Sequence, residues 1–301
     1  MVIKEVNEEM IPRAKQFLST AKAFSHITDW NPVFEYRWKL KQFPYGYIML
    51  ENDTIVGFLG TIFSERTLGG QKAVHCNLSA WIVDEDYRLG LGPAGKGVGR
   101  HLIDPVLNMK HVLITNLTPS SRSKVSCERL GFETLDEKQV VIPIIATRFA
   151  GVPGQRRGLH FSSSEEAISP YLSGTEQQIF ADHRGLPCKH FLVRGETPGE
   201  YCYFIGTTSV IGRIVPRRNW LNLHLCYVSD VEFFVKHFTF ICQQLWTLRH
   251  VALLRYDSRL ISRRLSIFAF NIPALRMIRA TVSGFRELDN IYSELVTHNK
   301  Y

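Results

Sequence analysis

Apolar residues along this chain fall into short runs and helical stripes whose order predicts a mixed α/β protein. Residues 2–6 read as a short strand, and Ile11, Ala14, Leu18 and Ala21 recur at helical spacing across residues 8–22. Asp29-Trp-Asn-Pro32 offers a helix start, and Phe34 to Leu40 are expected to form a second helix closed by Pro44. Tyr47–Glu51 and Thr54–Phe63 are apolar runs joined by Asn52-Asp53, a hairpin signal. Gly69-Gly70 marks a turn before a long strand, Ala73–Asp84. A glycine-rich loop follows, then a helix from Val98 that Pro105 must kink or end, because its ring clashes with the preceding turn. His111–Thr115 is a strand, Pro119 suits the first turn of a helix reaching Leu130, and Gly131 stops that helix. Phe132–Leu135 and Gln139–Ile145 are expected to close this part as a hairpin.

The second half repeats that order without repeating the sequence. Phe191–Gly195, Tyr201–Thr207, Val210–Val215 and Trp220–Tyr227 read as strands. Val231–Leu248 reads as one helix, with Val231, Phe234, Val235, Phe238, Ile241, Cys242 and Leu245 on a single stripe. Val251–Tyr256 is again a strand, before a helical and strand-like tail. Two domains are expected, 1–148 and 165–301, joined by a Gly-, Pro- and Ser-rich linker at 149–164. The second is either a degenerate structural copy of the first or an independent α/β domain.

Composition narrows the chemistry. The 301 residues carry 36 Lys+Arg against 28 Asp+Glu, a net charge of +8, which suits a polyanionic partner such as a phosphorylated cofactor or an acidic acyl carrier protein. The basic residues are scattered, with no long stripe and no nucleic-acid motif, so nucleic acid is not the expected partner. Six cysteines at 76, 127, 188, 202, 226 and 242 form no CxxC pair, which argues for a reduced, cytoplasmic chain with no metal site. No apolar run approaches the ~20 residues of a membrane span.

The loop Gly90-Leu-Gly-Pro-Ala-Gly95-Lys96 carries the candidate chemistry. Its backbone N–H groups, leading into a helix N-terminus, can cradle an anion. A nucleotide-triphosphate loop would next need Ser or Thr for Mg²⁺, and Gly97 stands there instead. A dinucleotide fingerprint would follow the first strand of a βαβ unit, whereas three antiparallel-looking strands precede this loop. A plain flexible surface loop is the remaining local alternative.

Taken in order, Val83-Asp-Glu-Asp-Tyr-Arg88, Gly95-Lys-Gly-Val-Gly-Arg-His-Leu-Ile103 and Glu128-Arg-Leu-Gly-Phe132 resemble the GNAT superfamily of acyl-CoA N-acyltransferases. Residues 34–60 look like its long, tandem two-domain branch. The resemblance implies a mixed, mostly antiparallel sheet flanked by helices, followed by a second degenerate domain of the same kind that lacks the cofactor loop. It implies acetyl-CoA or another acyl-CoA as co-substrate, and a small-molecule amine as acceptor. Trp81, Ile82 and Val83 would pair their backbone with pantetheine. The N–H groups of Gly95, Lys96, Gly97, Val98, Gly99 and Arg100 would hold the pyrophosphate. Arg88 and Ser120 would complete the cofactor contacts.

Two departures from the superfamily pattern matter. Ala94 stands where Arg is expected, with Arg88 six residues too early. Cys127 occupies the position of a Tyr that protonates the leaving thiolate, and Ser120 replaces an Asn at the helix start. Cys127, Asn116 and Asp84 are the candidate catalytic residues, with Glu85, His75 and Ser79 as further groups near the expected cleft.

Overall fold

The computed structural model describes residues 1–88, 97–144, 158–215, 218–280 and 285–298. In chain order the first half contains β1 (Val2–Glu5), α1 (Ile11–Thr20), α2 (Asn31–Phe34), β2 (Gly46–Glu51), β3 (Thr54–Leu68) and β4 (Gln71–Val83). It continues with α3 (Glu85–Arg88), α4 (Val98–Leu107), β5 (Val112–Asn116), α5 (Ser121–Arg129) and β6 (Glu133–Pro143). The second half contains β7 (His160–Ser162), α6 (Glu165–Ile168), α7 (Gly174–His183), β8 (Lys189–Arg194), β9 (Tyr201–Val215) and β10 (Arg218–Val228). It ends with α8 (Val231–Lys236), α9 (Phe238–Arg249), β11 (Val251–Asp257), β12 (Phe270–Arg279) and α10 (Glu294–His298).

These elements divide into two units. Among the described residues, the first comprises those of Met1–Leu135, Arg276–Leu288 and Tyr292–His298; the second comprises those of Asp136–Leu275 and Asp289–Ile291. In the first, β1, β2, β3 and β4 pair antiparallel in turn, β4 pairs parallel with β5, and β5 takes Arg279, Ile278 and Met277 of β12 as an antiparallel neighbour. In the second, β7, β8, β9 and β10 pair antiparallel in turn, β10 pairs parallel with β11, and β11 pairs antiparallel with Gln139–Pro143 of β6. Within each unit the strand pairing is therefore mixed and mostly antiparallel, as expected. Each receives its sixth strand from the far half of the sequence.

Local chemistry explains the elements. Asn52 and Asp53 both take left-handed backbone (φ 48° and 63°), which is the geometry of a tight two-residue hairpin. In α4, Val98, Leu102, Ile103 and Val106 are buried, and Gly57 on β3 lets the helix lie close: a Cβ there would meet Leu102 Cδ1 at 2.9 Å. The core on this side gathers Val6, Ala14, Leu18, Trp30, Phe34, Ile48, Phe58 and Ile82. In the second unit, Phe191, Phe204, Leu225, Phe234, Phe238, Ile241, Leu245 and Tyr256 pack together beneath α8 and α9.

Several expectations change. The helix expected over Phe34 to Leu40 ends at Phe34 as part of α2. Beyond it Tyr36 and Trp38 are buried while Glu35 and Arg37 are exposed, a two-residue alternation that a helix cannot produce. The hairpin expected at 132–145 is a single strand, β6, because Asp136 folds into bonds with Lys138 N (3.2 Å), Ser258 Oγ (2.7 Å) and Arg259 N (3.0 Å) instead of making a turn. The two short strands at 201–215 are one, β9, and the single helix at 231–248 breaks at His237 (φ −106°, ψ 15°). His160–Ser162, inside the stretch read as linker, forms β7. Helix α4 continues two residues past Pro105 and then stops. All six cysteines are free and buried. No described helix is long and apolar enough to cross a membrane.

Candidate active site

The parallel ladder between β4 and β5 is short. It pairs Val74 with Val112, His75 with Leu113, Cys76 with Ile114 and Asn77 with Thr115. β5 then ends at Asn116, whereas β4 runs on to Val83. Along Leu78–Val83, β4 keeps β3 on one side and has no described strand on the other. The two strands thus part beyond Asn77, leaving a stretch of β4 backbone whose N–H and C=O groups can pair with a ligand.

A bulge lies within that free stretch. Phe58 pairs with Ile82 and Gly60 with Ser79, so Ala80 and Trp81 together face the single residue Leu59. Ala80 takes φ +49°, a conformation that costs an L-residue about 1–2 kcal/mol. Bulges concentrate next to active sites, where they re-aim a side chain and end pairing. Here the Ser79 hydroxyl is buried with no hydrogen-bond partner among the described residues.

At the far end of the free stretch sits the N-terminus of α4. Gly97 caps it with φ +128° and its carbonyl accepts from His101 N (2.9 Å). The first turn is fastened to β4 by Trp81, whose Nε1 donates to Gly99 O at 3.1 Å. A ten-residue helix leaves the N–H groups of its first turn unpaired and carries partial positive charge there, so an anion is favoured. Val98 is buried, so only its backbone can serve. The Arg100 side chain is taken up by Asp104 (2.8 Å). Gly95 and Lys96, expected to hold the pyrophosphate, lie outside the described residues.

The remaining candidates have local partners. Arg88 turns back onto the end of β4, its Nε donating to Val83 O (2.6 Å) with Glu85 at 3.7 Å. Ser120 caps α5 by accepting from Ser123 N (3.2 Å). Asp84 is exposed and accepts from Asp86 N (3.0 Å) as the cap of α3. It lies seven residues beyond Asn77, which on an extended strand is about 20 Å from the point where β4 and β5 part.

Cys127 and Asn116 do come together. Asn116 Nδ2 donates to Cys127 Sγ at 3.5 Å, and Cys127 is wholly buried. Burial pushes this thiol up from its ordinary range, with Glu128 adding to the effect and the Asn116 bond opposing it.

The closed end of the opening also holds a buried polar chain in which only His75 was a sequence candidate. Ser64 Oγ lies 3.3 Å from His75 Nδ1, and His75 Nε2 lies 2.8 Å from Thr115 Oγ1. Asn77 Nδ2 donates to Thr115 Oγ1 (3.1 Å), and Asn77 Oδ1 accepts from Glu294 N (3.0 Å). Thr118 Oγ1 then donates to Glu294 Oε1 (2.9 Å). Glu294 is wholly buried, and nothing in the local pattern of Ser293-Glu-Leu-Val296 signals it. Among the described residues no group of His, Cys, Asp and Glu could hold a metal ion.

Neither a protein-family profile nor a curated relative matches the sequence. Solved structures do match the fold. A GCN5-related N-acetyltransferase from Anabaena variabilis ATCC 29413 superposes with a TM-score of 0.61 at 14% identity, covering 92% of this chain and 72% of that one. A probable N-acyltransferase from Enterococcus faecalis V583 gives 0.58 at 13% identity, covering 92% and 71%. A GCN5-related N-acetyltransferase from Kribbella flavida gives 0.55 at 13% identity, covering 92% and 70%. The parted β4 and β5 with their bulge, the glycine-led α4 and these likenesses agree: the chain is built on the GNAT fold, that of the GCN5-related N-acetyltransferases.

Proposed function

We propose that this chain is an N-acyltransferase that moves an acyl group, acetyl in the simplest case, from acyl-CoA to the amine of a small molecule such as an amino sugar or amino acid. The observation that carries the reading is the free half of β4, Leu78–Val83, running from the parting of the strands to the N-terminus of α4. Those residues fit the donor. The Trp81–Val83 backbone would hold the two amides of pantetheine, and the N–H groups of Gly97, Val98 and Gly99 would hold the pyrophosphate. When bound, the donor supplies an acyl carbon activated as a thioester. The bulge at Ala80 would turn backbone N–H groups toward the thioester oxygen as it gathers charge, the kind of contact that stabilises acyl transfer most.

The second unit supports a division of labour. Its strand order and its parallel β10/β11 pair repeat those of the first unit, which favours a degenerate copy of the same fold. At the start of α8, the position corresponding to Gly97, stands Asp230, whose carboxylate accepts from Phe233 N (2.8 Å). A carboxylate already seated on a helix N-terminus repels a pyrophosphate, so we assign cofactor binding to the first unit alone. The buried free thiols favour a reducing, cytoplasmic setting.

Calorimetry with CoA and acetyl-CoA tests the donor. Saturable binding is expected, and no heat at millimolar acetyl-CoA would sink the acetyl version. Binding without thioester turnover across amines would instead favour a non-catalytic CoA-binding protein. The role of Cys127 is separable. An ordinary thiol titrates near ~8.5, and a thiol raised above that by burial is a poor acid toward a leaving thiolate of the ordinary kind. Cys127→Ser is therefore expected to lower kcat by less than about tenfold, since general acid catalysis contributes roughly 10²–10⁴ where it operates. A hundredfold loss, with acyl-CoA affinity kept, would restore Cys127 as the proton donor.

A further inference from the structure

We infer that the turn Ser266–Ala269, in the connection between β11 and β12, is a docking tip for an anionic lipid surface. The tip lies in the second unit and is independent of how the first unit holds its donor. The Ala269 N–H donates to Ser266 O at 3.2 Å, closing a four-residue turn with Ile267 and Phe268 at its centre. Ile267 is 74% exposed, Phe268 45%, and Phe270, the first residue of β12, 49%. Single apolar residues on a surface are ordinary, but three large ones within four positions mark a contact site. A side chain as bare as Ile267 stands out from the surface, and that suits a fluid apolar medium better than a shaped protein pocket.

The tip is fastened from below. Ile261 is buried in the core of the second unit, and Leu260, Leu265 and Ala269 pack against that core. Ser266 Oγ accepts from Phe268 N at 3.2 Å. Arg264 reaches forward, its Nε donating to Ser266 O (3.1 Å) and its Nη2 to Ile267 O (2.9 Å). Ile267 and Phe268 are thus presented outward before any contact is made, so little ordering is required on docking.

Charge decides what the tip meets. Arg264 sets a guanidinium against the backbone that carries the two apolar side chains, and Arg263, also exposed, is its neighbour in the chain. Arg263 Nη1 lies 2.9 Å from Glu232 Oε2, an exposed surface pair that yields at little cost when a phosphate competes. From Ser258 to Leu275 the chain carries three arginines and neither aspartate nor glutamate. Apolar side chains at the front with arginines behind them match the layers of a bilayer, whose acyl region lies beneath its phosphates. Each arginine near an anionic bilayer adds about fivefold in affinity, an attraction that weakens as salt rises. A second copy of the chain is disfavoured as occupant, because a two-fold contact would set Arg263 and Arg264 against their own copies.

The test is flotation of the full chain with vesicles of phosphatidylcholine alone, and of phosphatidylcholine mixed with phosphatidylglycerol. The protein is expected to float with the anionic vesicles, to stay behind with the neutral ones, and to be released as salt is raised. Changing Ile267→Ser and Phe268→Ser together should weaken that binding roughly tenfold or more, and Arg263→Gln about fivefold, with thermal unfolding unchanged. Insertion is read separately. The six native cysteines are buried, so a polarity-sensitive dye on Phe268→Cys labels the tip, and its emission should shift to the blue with anionic vesicles. If the double-serine variant fails to fold, this labelled variant decides. No flotation of the wild type with anionic vesicles, equal flotation with neutral ones, or a folded double-serine variant that binds like the wild type would each overturn the assignment. So would a dye whose emission stays fixed, or a dimer in solution that the two serines convert to monomer.

Discussion

Replacing Asp257 by alanine is expected to destabilise the second unit by about 3–5 kcal/mol, the cost of removing one partner from a buried charged network. Asp257 ends β11 and is wholly buried. Its Oδ1 accepts from Gln139 Nε2 at 2.8 Å and its Oδ2 from Asn290 Nδ2 at 2.7 Å. The Arg259 guanidinium lies 3.8 Å from Oδ2, and His224 Nε2 lies 3.6 Å from Oδ1. One carboxylate therefore joins β6, β10, β11 and the 289–291 segment. Without it, two amides and a guanidinium lose a common acceptor inside the protein, and each unpaired buried group costs about 1–3 kcal/mol. For a unit of this size that corresponds to a fall in Tm of roughly 10–15 °C. Asp257→Asn should lose less, since it keeps one oxygen. Chemical denaturation of the two variants checks the order, and an alanine variant within 1 kcal/mol of the wild type would show that solvent repairs the network.

The second large effect is expected at Gly57. A Cβ there would stand 2.9 Å from Leu102 Cδ1, 3.2 Å from Val98 Cγ1 and 3.4 Å from Ile82 O. Leu102 and Val98 are core residues of α4, and Ile82 O is backbone, so neither side can yield cheaply. Gly57→Val adds two further carbons beyond the Cβ. Overpacking of this kind costs about 1–3 kcal/mol and is relieved by pushing the helix outward. A shift of α4 moves the N–H groups of Gly97 to Gly99 away from the free end of β4. Affinity for acyl-CoA should therefore fall at least tenfold, in excess of any effect of lost stability, as read by calorimetry well below the variant's Tm. Gly99→Ala is the control. Its Cβ would make ordinary contacts, 3.5 Å to Val83 Cγ2 and 3.6 Å to Trp81 Nε1, so the fold should survive. Unchanged affinity in Gly57→Val would show that α4 does not hold the donor.

Much of the frame was legible because each local signal agreed with its neighbours. Asn52-Asp53 marked the hairpin, the long run ending at Val83 marked β4, and the apolar stripe of Val98, Leu102 and Val106 marked α4. The glycine-led entry into α4 pointed to the proposed cofactor end for the same reason: backbone geometry is written in glycine positions. The misreadings share a cause as well. Tyr36 and Trp38 look like a continuing helix until burial shows that they alternate with polar residues. Asp136 looks like a turn residue because its partners, Ser258 and Arg259, lie more than a hundred residues away. Glu294 was illegible on the same ground: Asn77 and Thr118, which give it meaning, are 217 and 176 residues distant.

The origin of each sixth strand has a consequence for synthesis. β5, Val112-Leu-Ile-Thr-Asn116, is wholly buried in the finished first unit, flanked by β4 and by residues 277–279 of β12. On a growing chain β5 emerges some 160 residues before that partner. At about 5–20 residues per second, translation leaves its outer edge bare for on the order of 10–30 s. A short β-branched edge of this kind invites pairing with other nascent chains. The speed at which the second half is translated should accordingly govern how much of this protein reaches its native state.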